Sequence, residues 1–352
     1  MANASILVGT VKKIVRSKAV RWGFVAVTLG FGGYAIALQR HQITQALGRL
    51  SPLAIAGALI CVLVAQFGTL RVWQRLLAGL GSPLPTTAAA RVLFIGQLGK
   101  YLPGSVWPVL AQMELGTIYR VPRHRSASAS VLAMLVSLLT ALLVAAVTLP
   151  LTGHAGSYLW AYAAVPLLLA CLHPRVLRWG MDRLLRLARR PALEHPLSGA
   201  VLARALGWGL FSWVFNGLQI WLLVPVHSGM SLLLSVGGYA FAWSVGFLVV
   251  LAPGGLGVRE VVLVTTLTPL VGAGTATAVA LVSRAVTTAS DLICAGVSAA
   301  VPRNSALPAV PAAPPASGAQ HDGQGPLQHE SLMTTDRKQG ESRCSSDYPS
   351  SD

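Results

Sequence analysis

Charge is scarce in this chain. Only 11% of its 352 residues are Asp, Glu, Lys or Arg, less than half of the roughly 25% that wets an ordinary globular domain. With 54% hydrophobic residues beside so little charge, the chain cannot cover itself with polar side chains, and much of its surface faces lipid. Cysteine is also scarce. Cys61, Cys171 and Cys294 lie in apolar segments and Cys344 in the tail, without C-x-x-C spacing, which argues against disulfide or metal roles and for small packing residues. A P-loop is missing, so ATP would have to act through a partner. No cofactor and no metal is expected.

The formal net charge is +16, unevenly spread. Residues 302–352 contain four basic and six acidic side chains, so residues 1–301 carry +18. A nucleic-acid binder is also basic, but it gathers Lys and Arg on a folded polar face. Here no polar segment before residue 302 is long enough to fold as such a module, and a nucleic-acid partner is not expected.

Long apolar runs are what the chain does have. A helix needs about 20 mostly apolar residues to cross the hydrocarbon core. Stretches that meet or approach this are Trp22–Leu38, Leu53–Leu70, Ala127–Leu149, Tyr158–Leu172, Leu206–Val226, Leu232–Leu251 and Gly274–Val301. Two more, Ala88–Leu115 and Pro253–Leu270, are interrupted by Pro and Gly and read as re-entrant or discontinuous elements. The expected fold is an all-α, polytopic transmembrane helix bundle of seven spans plus two broken elements. Residues 1–21 form a basic amino-terminal segment, 22–301 the membrane domain, and 302–352 an Ala/Pro-rich then polar tail of disordered composition.

The first run follows Lys12, Lys13, Arg16, Lys18 and Arg21. Its length favours a retained span over a cleaved signal. The same cluster places the amino terminus in the cytoplasm of a cell-membrane protein. Arg71, Arg75, Arg120, Arg123, Arg125 and the Arg-rich stretch 173–205 fall on that side. Residues 152–157 and 227–231, with no Lys or Arg, fall outside. Arg40 and Arg49 run against the trend. The pattern closes if both broken elements start and finish on the cytoplasmic side. In the large cytoplasmic loop Leu177, Met181, Leu184, Leu185 and Ala188 share one helical face opposite Arg175, Arg178, Arg186 and Arg189. That makes either an amphipathic helix for an anionic leaflet or simply a topology-setting basic loop.

Ionisable groups inside apolar segments are costly and need a reason. They are Arg91, Lys100 and Glu114 in the first broken element, Arg259 and Glu260 in the second, and Arg284 and Asp291 in the last span. Arg284 and Asp291 are two helical turns apart and share a face. The acids either neutralise nearby bases or carry a coupling proton, and a ligand role is more plausible for Arg259 and Arg284. The broken elements resemble one another: Gly96, Pro103 and Gly104 recur 150 residues later as Gly246, Pro253 and Gly254. This suggests an internal repeat. A helix restarting after Pro253-Gly254-Gly255 would aim unpaired N–H groups at one spot, suited to a phosphate beside Arg259. Alternatively the glycines simply allow a tight turn.

The run Leu251-Ala252-Pro253-Gly254-Gly255-Leu256-Gly257-Val258-Arg259-Glu260 resembles the signature of the lysylphosphatidylglycerol synthase/flippase transmembrane domain family. The run from Gly96 to Pro108, Gly-Gln-Leu-Gly-Lys-Tyr-Leu-Pro-Gly-Ser-Val-Trp-Pro, resembles the upstream motif of its bacterial flippase-like members. The resemblance covers roughly residues 20–301. It implies a membrane domain with two re-entrant elements, linked to moving lipids or lipid-linked glycans between leaflets. The full-length synthases add a large cytoplasmic aminoacyl-transfer domain; only a 51-residue tail follows here, and lysyl-lipid synthesis is not expected.

The leading expectation is a flippase-like protein for an anionic lipid or polyprenyl-phosphate-linked substrate. Lys100, Arg259 and Arg284 would engage the phosphate with the N–H groups of Gly254, Gly255 and Gly257. Glu114, Glu260 and Asp291 would balance charge or carry a proton. Pro103, Gly104 and Pro253 would be the breaks about which the elements shift. An embedded lipid-glycan transferase is the enzyme alternative. However, the predicted external loops hold no Asp or Glu, and His41, His154 and His227 stand one to a loop, so no catalytic residue is assigned. A non-transporting accessory protein, partnering cell-envelope synthesis enzymes, is the third reading.

Overall fold

The computed structural model describes residues 51–101, 106–152, 198–248 and 257–301, with isolated positions between 165 and 183. Every element in these stretches is helical. The expected span Trp22–Leu38, most of Tyr158–Leu172, most of the amphipathic basic segment and the 302–352 tail lie outside the described residues. So do Pro103, Gly104, Pro253, Gly254 and Gly255.

Helix α1 (Pro52–Gly79) opens with proline in its first turn, where the missing N–H costs nothing. The apolar run ends at Leu70, but no Gly or Pro interrupts the chain before Gly79, so the helix continues. Arg71 and Arg75, which follow the apolar run Leu53–Leu70, therefore sit on the last turns of α1. The Arg71 guanidinium lies 5.6 Å and 5.7 Å from the ring centroids of Phe67 and Trp208, a cation held over aromatic faces as the helix leaves its apolar stretch.

The first broken element resolves into α2 (Thr86–Gln97), a 3-10 turn at Leu98–Tyr101, and α3 (Trp107–Thr117). At 1.5 Å per residue the two helices are about 18 and 16 Å long, too short for a core of about 30 Å. They fold back on each other. A Cβ at Gly96 would strike the Gln112 side chain, and one at Gly99 would come within 2.9 Å of the Pro108 backbone, so this approach needs glycine. Short turns join the pair to α1 and to α4 (Arg123–Thr148), so the hairpin enters and leaves on one side.

Helix α5 (Gly199–Leu223) starts where the Ser198 hydroxyl accepts the Val201 N–H at 3.2 Å, an ordinary N-cap. It runs antiparallel to α1: Gly57 faces Leu222, and Gly68 faces Trp208 and Ser212. Helix α6 (Gly229–Leu248) returns from the far end of α5.

Helix α7 (Val258–Ala300) has 43 residues, but it is not one rod. Gly272 has φ 77° and ψ 157°, a conformation that side-chain-bearing residues avoid. Along a continuous helix residues 260 and 284 would lie about 36 Å apart, yet Arg284 Nη1 is 3.7 Å from Glu260 Oε1. The chain therefore reverses at Gly272, between the expected end of the second broken element and the start of the last span. The arm 273–300 meets Gln219 through Ser283, Gln66 through Asp291, and Arg91 through the Val301 carbonyl. It thus ends on the side where α2 begins. The arm 258–271 must then finish on the opposite side. This corrects the expectation that both broken elements start and finish on one side; the Gly272 turn sets the difference.

Five helices (α1, α4 with its 3-10 extension Pro150–Thr152, α5, α6 and α7) are long and apolar enough to cross a membrane. Their buried apolar residues form two clusters. One gathers Leu70, Trp73 and Leu77 of α1, Val136 of α4 and Ala295 of α7; the other gathers Val62 of α1, Ala141 of α4, Ile220 of α5 and Val279 of α7. The division falls between residues 62 and 70 on α1 and between 286 and 295 on α7. Gln66 and Asp291 occupy those gaps.

Candidate functional site

Polar groups taken out of water must find partners, and at the gap between the clusters they find one another. Asp291 is 5% exposed. Its Oδ1 accepts from Gln66 Nε2 at 2.6 Å. Its Oδ2 accepts from the Tyr101 hydroxyl at 2.6 Å and lies 2.6 Å from Lys100 Nζ. Lys100 and Tyr101 reach one carboxylate because they sit side by side on the 3-10 turn that ends the inward run of α2. Two other elements thus converge on Asp291, α1 with Gln66 and the 3-10 turn with Lys100 and Tyr101, and together they contribute three donors, as a buried carboxylate requires.

A second group forms where α7 begins. Gly257 starts the helix at φ 84°, and its N–H donates to Glu260 Oε2 at 2.7 Å, the carboxylate half of a capping box. The other oxygen of Glu260 faces Arg284. Arg259 turns instead to α6, where it donates to the Tyr239 hydroxyl. Its guanidinium carbon lies 4.4 Å from the centroid of that ring, a cation–π contact.

Between the two groups is a cavity of about 290 Å³ with Lys100, Arg259, Arg284, Asp291, Tyr239 and Gln66 in its wall. Gln97 and Tyr101, before the first interruption, and Gly246 and Phe247, before the second, also line it. A buried polar chain supports the wall. The Ser130 hydroxyl bonds Gln112 Oε1 and accepts from Trp73 Nε1 at 3.2 Å, and the Ser126 hydroxyl donates to the Gln112 carbonyl at 2.9 Å. This locks α3 of the short hairpin onto α4 and α1.

The structure brings together Lys100, Arg259, Glu260, Arg284 and Asp291 and sets Gly257 at their edge, its N–H engaged by Glu260. It does not bring Glu114 there: that carboxylate meets Arg123 in a two-pronged pair at 2.7 and 2.8 Å, on the outer part of the α3–α4 turn. Arg91 donates to the carbonyls of Ala299 and Val301 at 3.2 and 2.8 Å and closes the end of α7, a basic C-terminal cap. Gln66, Tyr101 and Tyr239 were not singled out from the sequence. Gln66 could have been, as an amide inside an apolar span. The two tyrosines carried no such signal, because a tyrosine in an apolar helix is unremarkable until its hydroxyl has a partner. Among the described residues no group of three or more His, Cys, Asp or Glu stands in metal-binding arrangement.

Membrane-length helices enclosing two shorter, reversing elements around a charged cavity define a polytopic α-helical membrane protein of the interrupted-helix kind. The chain belongs to the family described as the lysylphosphatidylglycerol synthase TM region, whose model matches residues 21–295. No curated protein matches it.

Proposed function

We propose that this protein is flippase-like: it moves the phosphate-bearing headgroup of an anionic lipid, or of a polyprenyl-phosphate-linked substrate, across the cytoplasmic membrane. One observation carries the reading. The short pair α2 and α3 comes from one side of the bundle, α6 and the first arm of α7 come from the other, and both pairs line the same cationic cavity, through Gln97 and Gln112 and through Phe247 and Arg259. A hydrophilic headgroup crosses a bilayer only where polar groups replace its water, and such a cavity between two opposed elements offers that replacement.

The order of elements supports a two-sided device. An offset of 150 residues carries α1, α2, α3 and α4 onto α5, α6 and the two arms of α7, and α1 and α5 run in opposite directions. This is the pattern of an inverted-topology repeat, in which the two halves rock about a shared site. In this reading Lys100, Arg259 and Arg284 hold the phosphate, with the N–H groups after Pro253 assisting. Glu260 and Asp291 balance the cations, and the breaks at Pro103, Gly104 and Pro253 allow the movement. The end of α1, with Arg71 and Arg75, and the start of α4, with Arg123 and Arg125, face the cytoplasm.

The test is reconstitution into vesicles with an acyl-labelled anionic phospholipid and a membrane-impermeant quencher. The wild-type chain should expose inner-leaflet label to the quencher, and Arg259→Ala and Arg284→Ala should each reduce that to the protein-free rate. Transfer of a sugar without movement of lipid would instead support a transferase, and neither activity would support an accessory protein.

A further inference from the structure

The number of charges around the cavity says which anion it is built to neutralise. Lys100, Arg259, Arg284 and Asp291 line it, and Glu260 stands behind Arg284. Two of the three cations face carboxylates: Lys100 meets Asp291 at 2.6 Å, and Arg284 meets Glu260 at 3.7 Å. Arg259 has no carboxylate within ion-pair reach among the described residues. Its neighbour is the neutral phenol of Tyr239. Arginine keeps its proton in any protein environment, so the layer carries one uncompensated positive charge. The apolar segments 22–38 and 158–172 and the stretches 102–105 and 249–256 contain no Asp, Glu, Lys or Arg.

From this count, and resting on the transport reading above, we infer that the cargo headgroup is a phosphodiester bearing a single negative charge. A diester has one ionised oxygen and brings the layer to neutrality. A phosphomonoester carries about −1.5 to −2 at neutral pH, and a diphosphate linkage also brings more than one charge. Either would leave excess negative charge beside Asp291 and Glu260. A zwitterionic headgroup would leave the Arg259 charge unmatched. Charge left unmatched in the hydrocarbon region is what the membrane penalises. The Arg259 fork, oriented by Tyr239 at the start of α7, is the group left available to pair with the diester oxygens. Glycerophosphodiester lipids and polyprenyl phosphodiesters of sugars share this chemistry.

Vesicles containing the full chain are loaded in parallel with acyl-labelled phosphatidylglycerol, phosphatidate or phosphatidylcholine, or with a labelled polyprenyl phosphohexose. The two diester monoanions separate the sources. At least one should cross at least about tenfold faster than phosphatidate and phosphatidylcholine, a lower bound on the discrimination expected for one unmatched charge. Glu260→Gln, which raises the net charge by one, should shift preference toward phosphatidate; Asp291→Asn is the second variant should Glu260→Gln fail to give monodisperse protein. Arg259→Gln should bring phosphatidylglycerol down to the phosphatidylcholine rate. Phosphatidate crossing as fast as phosphatidylglycerol, or a ranking unmoved by the acidic substitutions, overturns the inference. If no lipid crosses, the transport reading falls. The charge count is then judged by native mass spectrometry of lipids retained by the protein: retention of the monoanion over the dianion upholds it, and the reverse order refutes it.

Discussion

Asp291 and Glu114 make equally close ion pairs, at 2.6 Å to Lys100 and 2.7 Å to Arg123, and they are not equivalent groups. Glu114 is about one-third exposed, and its arginine also reaches water. Such pairs contribute little, because solvent screens the attraction and two long side chains must be held still. Asp291 is buried and depends on three donors from two other elements, α1 and the 3-10 turn at Leu98–Tyr101. The separation of charges alone does not rank these pairs. What ranks them is how much water each carboxylate has surrendered and how many protein groups replace it.

Substitutions can sharpen that contrast. The largest effect belongs to Asp291→Ala, which strands Lys100, Tyr101 and Gln66 around a void. Removing one partner of a buried pair costs about 3–5 kcal/mol, and the low end applies because Lys100 is partly exposed. Thermal unfolding in detergent, followed by the reactivity of the buried Cys61 thiol, should show a marked drop. Gln66→Leu leaves the carboxylate one donor short and should cost about 1.5–3 kcal/mol, the worth of a hydrogen bond to a charged group. A neutral result would mean that the amide does not support Asp291.

Gly272→Val tests the hairpin rather than the pair. A β-branched residue at φ 77° and ψ 157°, a region essentially reserved for glycine, costs about 1–3 kcal/mol. With cysteines replacing Glu260 and Arg284, a short bifunctional thiol reagent should join the two arms efficiently. Failure to link them in otherwise native protein would contradict the reversal at Gly272. The smallest change is expected from Glu114→Gln, within about 1 kcal/mol. A loss as large as that of Asp291→Ala would erase the distinction between the two carboxylates.

Much of the fold was legible because lipid imposes a simple rule. Apolar runs of sufficient length become helices, and proline and glycine mark where helices stop. The boundaries at Leu270 and Gly274 bracket the reversal at Gly272 for this reason. The ends of α1 were not legible, since hydropathy falls at Arg71 while nothing in the backbone chemistry halts the helix. The site was half legible. Lys100, Arg259, Glu260, Arg284 and Asp291 stood out as charges in the wrong solvent. Glu114 stood out by the same criterion and went elsewhere, because hydropathy of a segment does not tell how deep a short re-entrant helix carries each of its residues.

By itself the sequence determined that the chain is a helical membrane protein, with two broken elements and a few charges that demand partners. Those properties follow from local composition and from the cost of polar groups in hydrocarbon. Which charge meets which was decided only by the tertiary structure. A pair such as Lys100 and Asp291, 191 positions apart, is set by the depth and direction of two separate elements. Those depend on packing across the whole bundle: the fold-back at Gly96, the reversal at Gly272, and the antiparallel seating of α1 on α5.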